Sequence, residues 1–154
     1  MKIRIICVGK KHNLDLANAI SKYEQRLKPR VEFCWQIIPT SKDKFNISKL
    51  QESVLILKNV QKSDFVILLD EAGKIFSNLE FSQIIEEYLF SKTSSDLVFI
   101  IGGAYGVSEE IKSRANVIWS LSKLVFPHQI VRLILVEQMY RTFTIIQSHP
   151  YHHT

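Results

Sequence analysis

Three short segments carry residues that could do chemistry. They are Leu69-Asp70-Glu71-Ala72-Gly73-Lys74, Ile101-Gly102-Gly103-Ala104-Tyr105-Gly106 and Leu121-Ser122-Lys123-Leu124-Val125-Phe126-Pro127-His128. Each begins at the end of an apolar run of strand type, and in a parallel α/β sheet ligands bind beyond the carboxyl ends of the strands. The glycines of the second segment allow a backbone to approach a ligand closely. They do not make a dinucleotide fingerprint, because Ile101 holds the first glycine position of GxGxxG, and no GK[ST] follows to make a phosphate loop. A tight strand-to-helix turn is their alternative use. Asp70 and Glu71 adjoin, whereas glycosidase chemistry needs a second carboxylate across a cleft. Ser120 and Ser122 lack the GxSxG elbow of a serine hydrolase. The tail, Ser148-His149-Pro150-Tyr151-His152-His153-Thr154, holds three histidines without the helix, cysteine or spaced acid of a closed metal site. It suits RNA better: Tyr151 can stack on a base, and His152 and His153 can contact bases or phosphate. A frayed end is the alternative.

Strands and helices must position these segments. Ile3–Val8 reads as a strand, and Leu16, Ile20, Tyr23 and Leu27 fall on one helix face. Val31, Phe33, Trp35 and Ile37 alternate as a second strand. Ser48 and Gln51 form a capping-box pattern before a helix with Leu50, Val54 and Leu57. Phe65–Leu69 and Leu97–Ile101 are wholly apolar strands of the kind buried on both faces. Ser77 and Glu80 form a second capping box, for a helix to about Phe90. Ser108 caps a short helix near Arg114, and Val117–Leu121 is a fifth strand. A long helix follows from about Gln129 to Gln147. This alternation predicts a single α/β domain over residues 1–154, with a mostly parallel sheet and flanking helices. The last helix is apolar around nearly its whole axis, which requires cover on more than one side. A second subunit would supply it, so a homodimer is expected; a helix enclosed by its own domain is the alternative.

The chain has 154 residues, of which 46% are hydrophobic and 23% charged, values that exclude disorder as the main state. The densest apolar stretch, 130–146, is broken by Arg132, Glu137 and Arg141, so no membrane span is expected. The start alternates charged and apolar residues, unlike a signal peptide, and predicts a cytoplasmic protein. Cys7 and Cys34 fit buried, reduced thiols. The net charge of +5 is uneven: residues 1–50 hold eleven basic and four acidic side chains, residues 51–100 four and eight. A basic first third suits a polyanion such as RNA.

Taken together, four segments resemble a known family. They are Phe99-Ile100-Ile101-Gly102-Gly103-Ala104-Tyr105-Gly106, the run from Leu121 to His128 with Gln129, Val131 and Arg132, Glu137-Gln138-x-Tyr140-Arg141, and His149-Pro150-Tyr151-His152. With the opening Lys-Ile-x-Ile-x-x-Val-Gly-Lys they resemble the RlmH family, large-subunit ribosomal RNA methyltransferases of the SPOUT class. The resemblance covers essentially the whole chain. It implies a C-terminal trefoil knot, which strand and helix patterns would never suggest, and a working homodimer. It implies S-adenosylmethionine as methyl donor and N3 of a pseudouridine in 23S rRNA, at the position conventionally numbered 1915, as acceptor. The partner would be 23S rRNA or a ribosomal particle, with no DNA and no membrane. The implied donor pocket comprises Leu69, Gly102, Leu121, Ser122, Lys123, Leu124, Val125 and Phe126. A sulfonium methyl is already activated, so no metal is needed. His128 is the candidate for aiding loss of the N3 proton. Arg132 would pair with phosphate or stabilise an oxyanion on the base, with an internal ion pair as its alternative. Two features depart from the family: Ala104-Tyr105 stands where some relatives carry Pro-Glu, and His153 where relatives often carry Arg or Lys. A non-catalytic RNA-binding module shares the charge and the tail but leaves the three strand-end segments unexplained.

Overall fold

The computed structural model describes residues 1–43, 45–91 and 95–148, without the side chains of Phe45 and Asn46. The order is β1 (Lys2–Val8), α1 (Leu14–Leu27), β2 (Glu32–Ile38), α2 (Phe45–Lys58), β3 (Phe65–Ile75), α3 (Asn78–Phe90), β4 (Leu97–Ile101), α4 (Glu109–Arg114), β5 (Val117–Ser120) and α5 (His128–Ser148). The five strands form one sheet in the order β2-β1-β4-β3-β5, with every described pairing parallel. Alternation along each strand divides the core. Ile3, Ile5 and Cys7 face α1, α3 and α5, while Ile6 and Val8 face α2 and α4. Helices on both faces explain why β4 is buried along its whole length. At the amino-terminal edge of the sheet, buried Arg4 pairs with Asp64 and donates to the Asn59 carbonyl at 2.7 Å. The carboxyl ends of the strands are thereby left as the place for chemistry.

Three expectations change. The first concerns the helix expected to start at Ser48: α2 begins at Phe45, so Ser48 lies within it and is buried. Its hydroxyl donates to Glu52 Oε1 at 3.0 Å, four residues on, instead of capping. The second concerns Asp70–Lys74, which β3 carries as a continuation of the strand. Leu69 and Lys74 both pair with Trp119 across a register shift, so the chain bulges and rejoins β5. Gly73 permits this, since a Cβ there would lie 2.7 Å from the Ile118 backbone. The third concerns α5, which packs between α1 and α3, with Leu135, Val136, Met139 and Phe143 in the core. Its own domain therefore supplies much of the cover that sequence alone assigned to a second subunit. Ile130, Ile134 and Ile145 stay half-buried and outside that core cluster.

Candidate active site

β4 ends at Ile101, and the chain turns at once. The Gly106 amide donates to the Gly103 carbonyl at 3.0 Å, and Ser108 then caps α4. The turn is braced from behind by α2, which turns both Ile56 and a set of polar side chains inward. Its polar Ser48, Glu52 and Ser53 are buried, while Leu50 and Val54 are exposed. Ser53 Oγ accepts the Ser108 amide at 2.9 Å. Glu52 Oε1 accepts from the Ser41 amide at 3.1 Å and from Ser48 Oγ. Its other oxygen faces Gly103, where a Cβ would sit 2.5 Å from Oε2, so a larger residue there would have to displace the Glu52 carboxylate. Leu50, Val54 and Leu57 mark this helix in the sequence, where Glu52 and Ser53 have no assigned role. The signal was present in Ser48, Glu52 and Ser53, polar residues one helical turn apart.

A cavity of about 510 Å³ opens between the ends of β3, β4 and β5, a size suited to a small organic ligand. All three sequence segments line it. Of the expected donor-pocket residues, Leu69, Gly102, Leu121, Ser122, Leu124, Val125 and Phe126 are present in the wall, joined by His128. Lys123 is not part of the lining. Trp119, unforeseen at this site, also lines it and stacks on Phe81 with ring centroids 3.9 Å apart. The 121–126 loop is preformed. Ser120 Oγ donates to the Ser122 carbonyl at 2.9 Å, and Ser122 Oγ accepts the Leu124 amide at 3.0 Å. The Leu124 amide is therefore spent within the loop, while those of Val125 and Phe126 have no protein acceptor among the described residues. Leu124 and Val125, both lining the cavity, stand 69% and 72% exposed.

His128, the first residue of α5, reaches the cavity wall half-buried. Burial pushes its pKa below the ordinary histidine value, and the Arg132 charge lowers it further against an opposing pull from Glu52. The shift favours the neutral imidazole, the form able to accept a proton. Arg132 itself does not line the cavity. It is the largest fully buried side chain, at 1% exposed. Its Nη1 donates to the Lys10 carbonyl at 2.7 Å and lies 3.3 Å from His12 Nδ1. Among the described residues no carboxylate pairs with it. The phosphate or oxyanion contact read from sequence would need this buried side chain to reach the substrate, and among the described residues it makes no internal ion pair. Arg132 instead holds the loop after β1. His12, packed edge-on against Trp35, has its pKa lowered by burial and then by Arg132. Cys7 is a buried thiol pushed up by desolvation. Tyr151, His152 and His153 lie outside the described residues. No cluster of metal-ligating side chains occurs among the described residues, and none of their helices is long and apolar enough to cross a membrane.

A parallel sheet whose glycine turn and following loop close on one cavity has counterparts among known proteins. The family model described as Predicted SPOUT methyltransferase matches residues 1–152. A described probable methylase family protein from Haemophilus influenzae superposes with a TM-score of 0.56 at 13% identity, over 99% of this chain and 70% of that one, a likeness of fold. Proteins named Ribosomal RNA large subunit methyltransferase H are similar along the whole length. Those of Christiangramia forsetii, Parabacteroides distasonis and Streptococcus mutans are 45%, 41% and 39% identical, each over 99% of both chains. The chain belongs to the SPOUT methyltransferase family and, within it, to the RlmH group of these relatives.

Proposed function

We propose that this protein transfers a methyl group from S-adenosylmethionine to N3 of a pseudouridine in large-subunit ribosomal RNA, in the bacterial cytoplasm. One observation carries the reading. The three strand-end segments, two of which carry the family pattern, converge on a single cavity, with His128 in its wall. The cavity fits the donor: Leu69, Trp119 and Phe126 offer apolar surface, and the Val125 and Phe126 amides offer hydrogen bonds to a purine edge. When bound, the donor supplies a methyl group activated by its sulfonium. The chain's own work is then alignment and proton removal. His128 accepts the N3 proton while the base is held in line, so the ring nitrogen attacks as an anion.

The same reading takes two copies of the chain, in the knotted topology of the family. It is supported by Ile130, Ile134 and Ile145, half-buried on α5 outside the core. Tyr151, His152 and His153 would meet the RNA. The decisive test is mass spectrometry of rRNA nucleosides from a deletion strain, before and after complementation. N3-methylpseudouridine should vanish and return. Its presence in both strains would overturn the acceptor. Donor binding is tested separately: S-adenosylmethionine at about 100 times its Kd should add roughly 2.7 kcal/mol of stability.

A further inference from the structure

The segment Gly9-Lys10-Lys11-His12-Asn13 follows β1 and lacks regular secondary structure, yet α5 fixes its backbone at Lys10, Lys11 and Asn13. Arg132 Nη1 donates to the Lys10 carbonyl at 2.7 Å. Gln129 uses both ends of its amide: Nε2 donates to the Lys11 carbonyl at 3.1 Å, and Oε1 accepts the Asn13 amide at 3.0 Å. The His12 ring is held against Trp35, whose Nε1 donates to Glu24 at 2.6 Å. The backbone is thus tied down while the Lys10 and Lys11 side chains stay exposed and make none of the described ion pairs. Gln129 follows directly on His128, which lines the cavity, so the loop is tied to the same first turn of α5 that reaches the site. A buried guanidinium without a carboxylate partner is expensive. Here it places one more positive charge beneath the loop.

We propose that residues 9–13 form a phosphate-contacting loop for the RNA substrate. Lys10 and Lys11 are the contacts, and Arg132 and Gln129 are the positioning residues. The proposal rests on the rRNA reading above and adds where the backbone of that RNA is gripped. Lysine acts here as a point charge on phosphate, which gives affinity and register without reading sequence. A loop ordered in advance loses little freedom when RNA arrives, so two charges suffice to bias the approach toward the cavity.

The test compares wild type, the double variant Lys10→Gln/Lys11→Gln, Gln129→Ala and Arg132→Lys. Each is measured for donor Kd, for methylation of protein-free 23S rRNA and of ribosomal particles from a deletion strain, and for RNA affinity over a salt series. The double variant should keep donor Kd, raise the RNA KM about tenfold, and flatten the slope of log K against log salt by about 1.4–1.8, the value for two phosphate contacts. Gln129→Ala should raise the RNA KM with the salt slope unchanged, because the charges remain and only their placement is lost. Its bonds are at the surface, so it answers the question even if Arg132→Lys does not fold. An unchanged salt slope and KM in the double variant would overturn the proposal. So would loss of particle binding with protein-free rRNA binding intact, which would assign the loop to a ribosomal protein. Wild type that binds donor but neither binds nor methylates either RNA would instead overturn the functional reading.

Discussion

A half-buried imidazole that feels an unpaired guanidinium gives up its proton more readily than one in water, and His128 is in that position. As the base in methyl transfer it must be neutral. The acid limb of kcat/KM should therefore fall below the ordinary histidine value of about 6.5. His128→Gln should abolish that limb and slow transfer by about 10²–10⁴-fold, the usual worth of a positioned base. A pH–rate series on both forms checks this, and an unchanged acid limb in the variant would assign the proton elsewhere. The other decisive residue is Gly103. Gly103→Ala would drive a methyl into the Glu52 carboxylate, which Ser41 and Ser48 hold in place. The cost should be about 1–3 kcal/mol, together with weaker donor binding through a displaced turn. Glu52→Ala in the same chain should return part of both. Thermal melts and calorimetric donor titrations of the two single variants and the double would show whether they couple.

At the scale of elements, the Ser77–Glu80 capping box expected from sequence is present with both reciprocal bonds. Ser77→Ala should cost about 1 kcal/mol and lower Tm by roughly 2–4 °C, with donor affinity preserved. Cap, strand alternation and helix period were legible because each is a local rule. Ile3–Val8, Leu97–Ile101 and the Ser108 cap depend on neighbours a few residues away. The departures came where tertiary context overrides the local rule. Asp70–Lys74 has the composition of a turn, but β5 pairs on both sides of it. Ser48 looks like a cap, but it lies inside α2 and is buried with Glu52 and Ser53 behind the glycine turn, while Leu50 and Val54 face out and Ile56 reaches the core. The same limit applied at the site. The three lining segments could be placed from strand ends and family pattern. The Arg132 role could not, because a guanidinium on α5 finds its acceptor 122 residues earlier, at Lys10.

For the molecule as a whole, two histidines with lowered pKa values link stability to pH. His12 and His128 bind protons less readily folded than unfolded. Between the two values the unfolded chain holds more protons, so stability rises with pH there and is lost as pH falls from about 6.5 through the folded values. Tm should drop between pH 7.5 and 5.5, and His12→Gln with His128→Gln should shrink the drop; an equal drop in the double variant would place the linkage elsewhere. The assembly can be tested with similar economy, because α5 separates two kinds of leucine-like position. Leu135 is fully enclosed by its own protomer, whereas Ile134 is half-buried and outside the core cluster. A glutamate at position 135 would be buried without a partner inside the protomer, at a cost of several kcal/mol, whereas one at position 134 would be buried only if a second copy covers it. Leu135→Glu should unfold the chain. Ile134→Glu should leave the circular dichroism spectrum intact and convert the sedimenting species from twice the 17.9 kDa chain mass to that mass. Wild type that sediments as a monomer at tens of micromolar, or Ile134→Glu that remains a dimer, would remove α5 as the contact between copies.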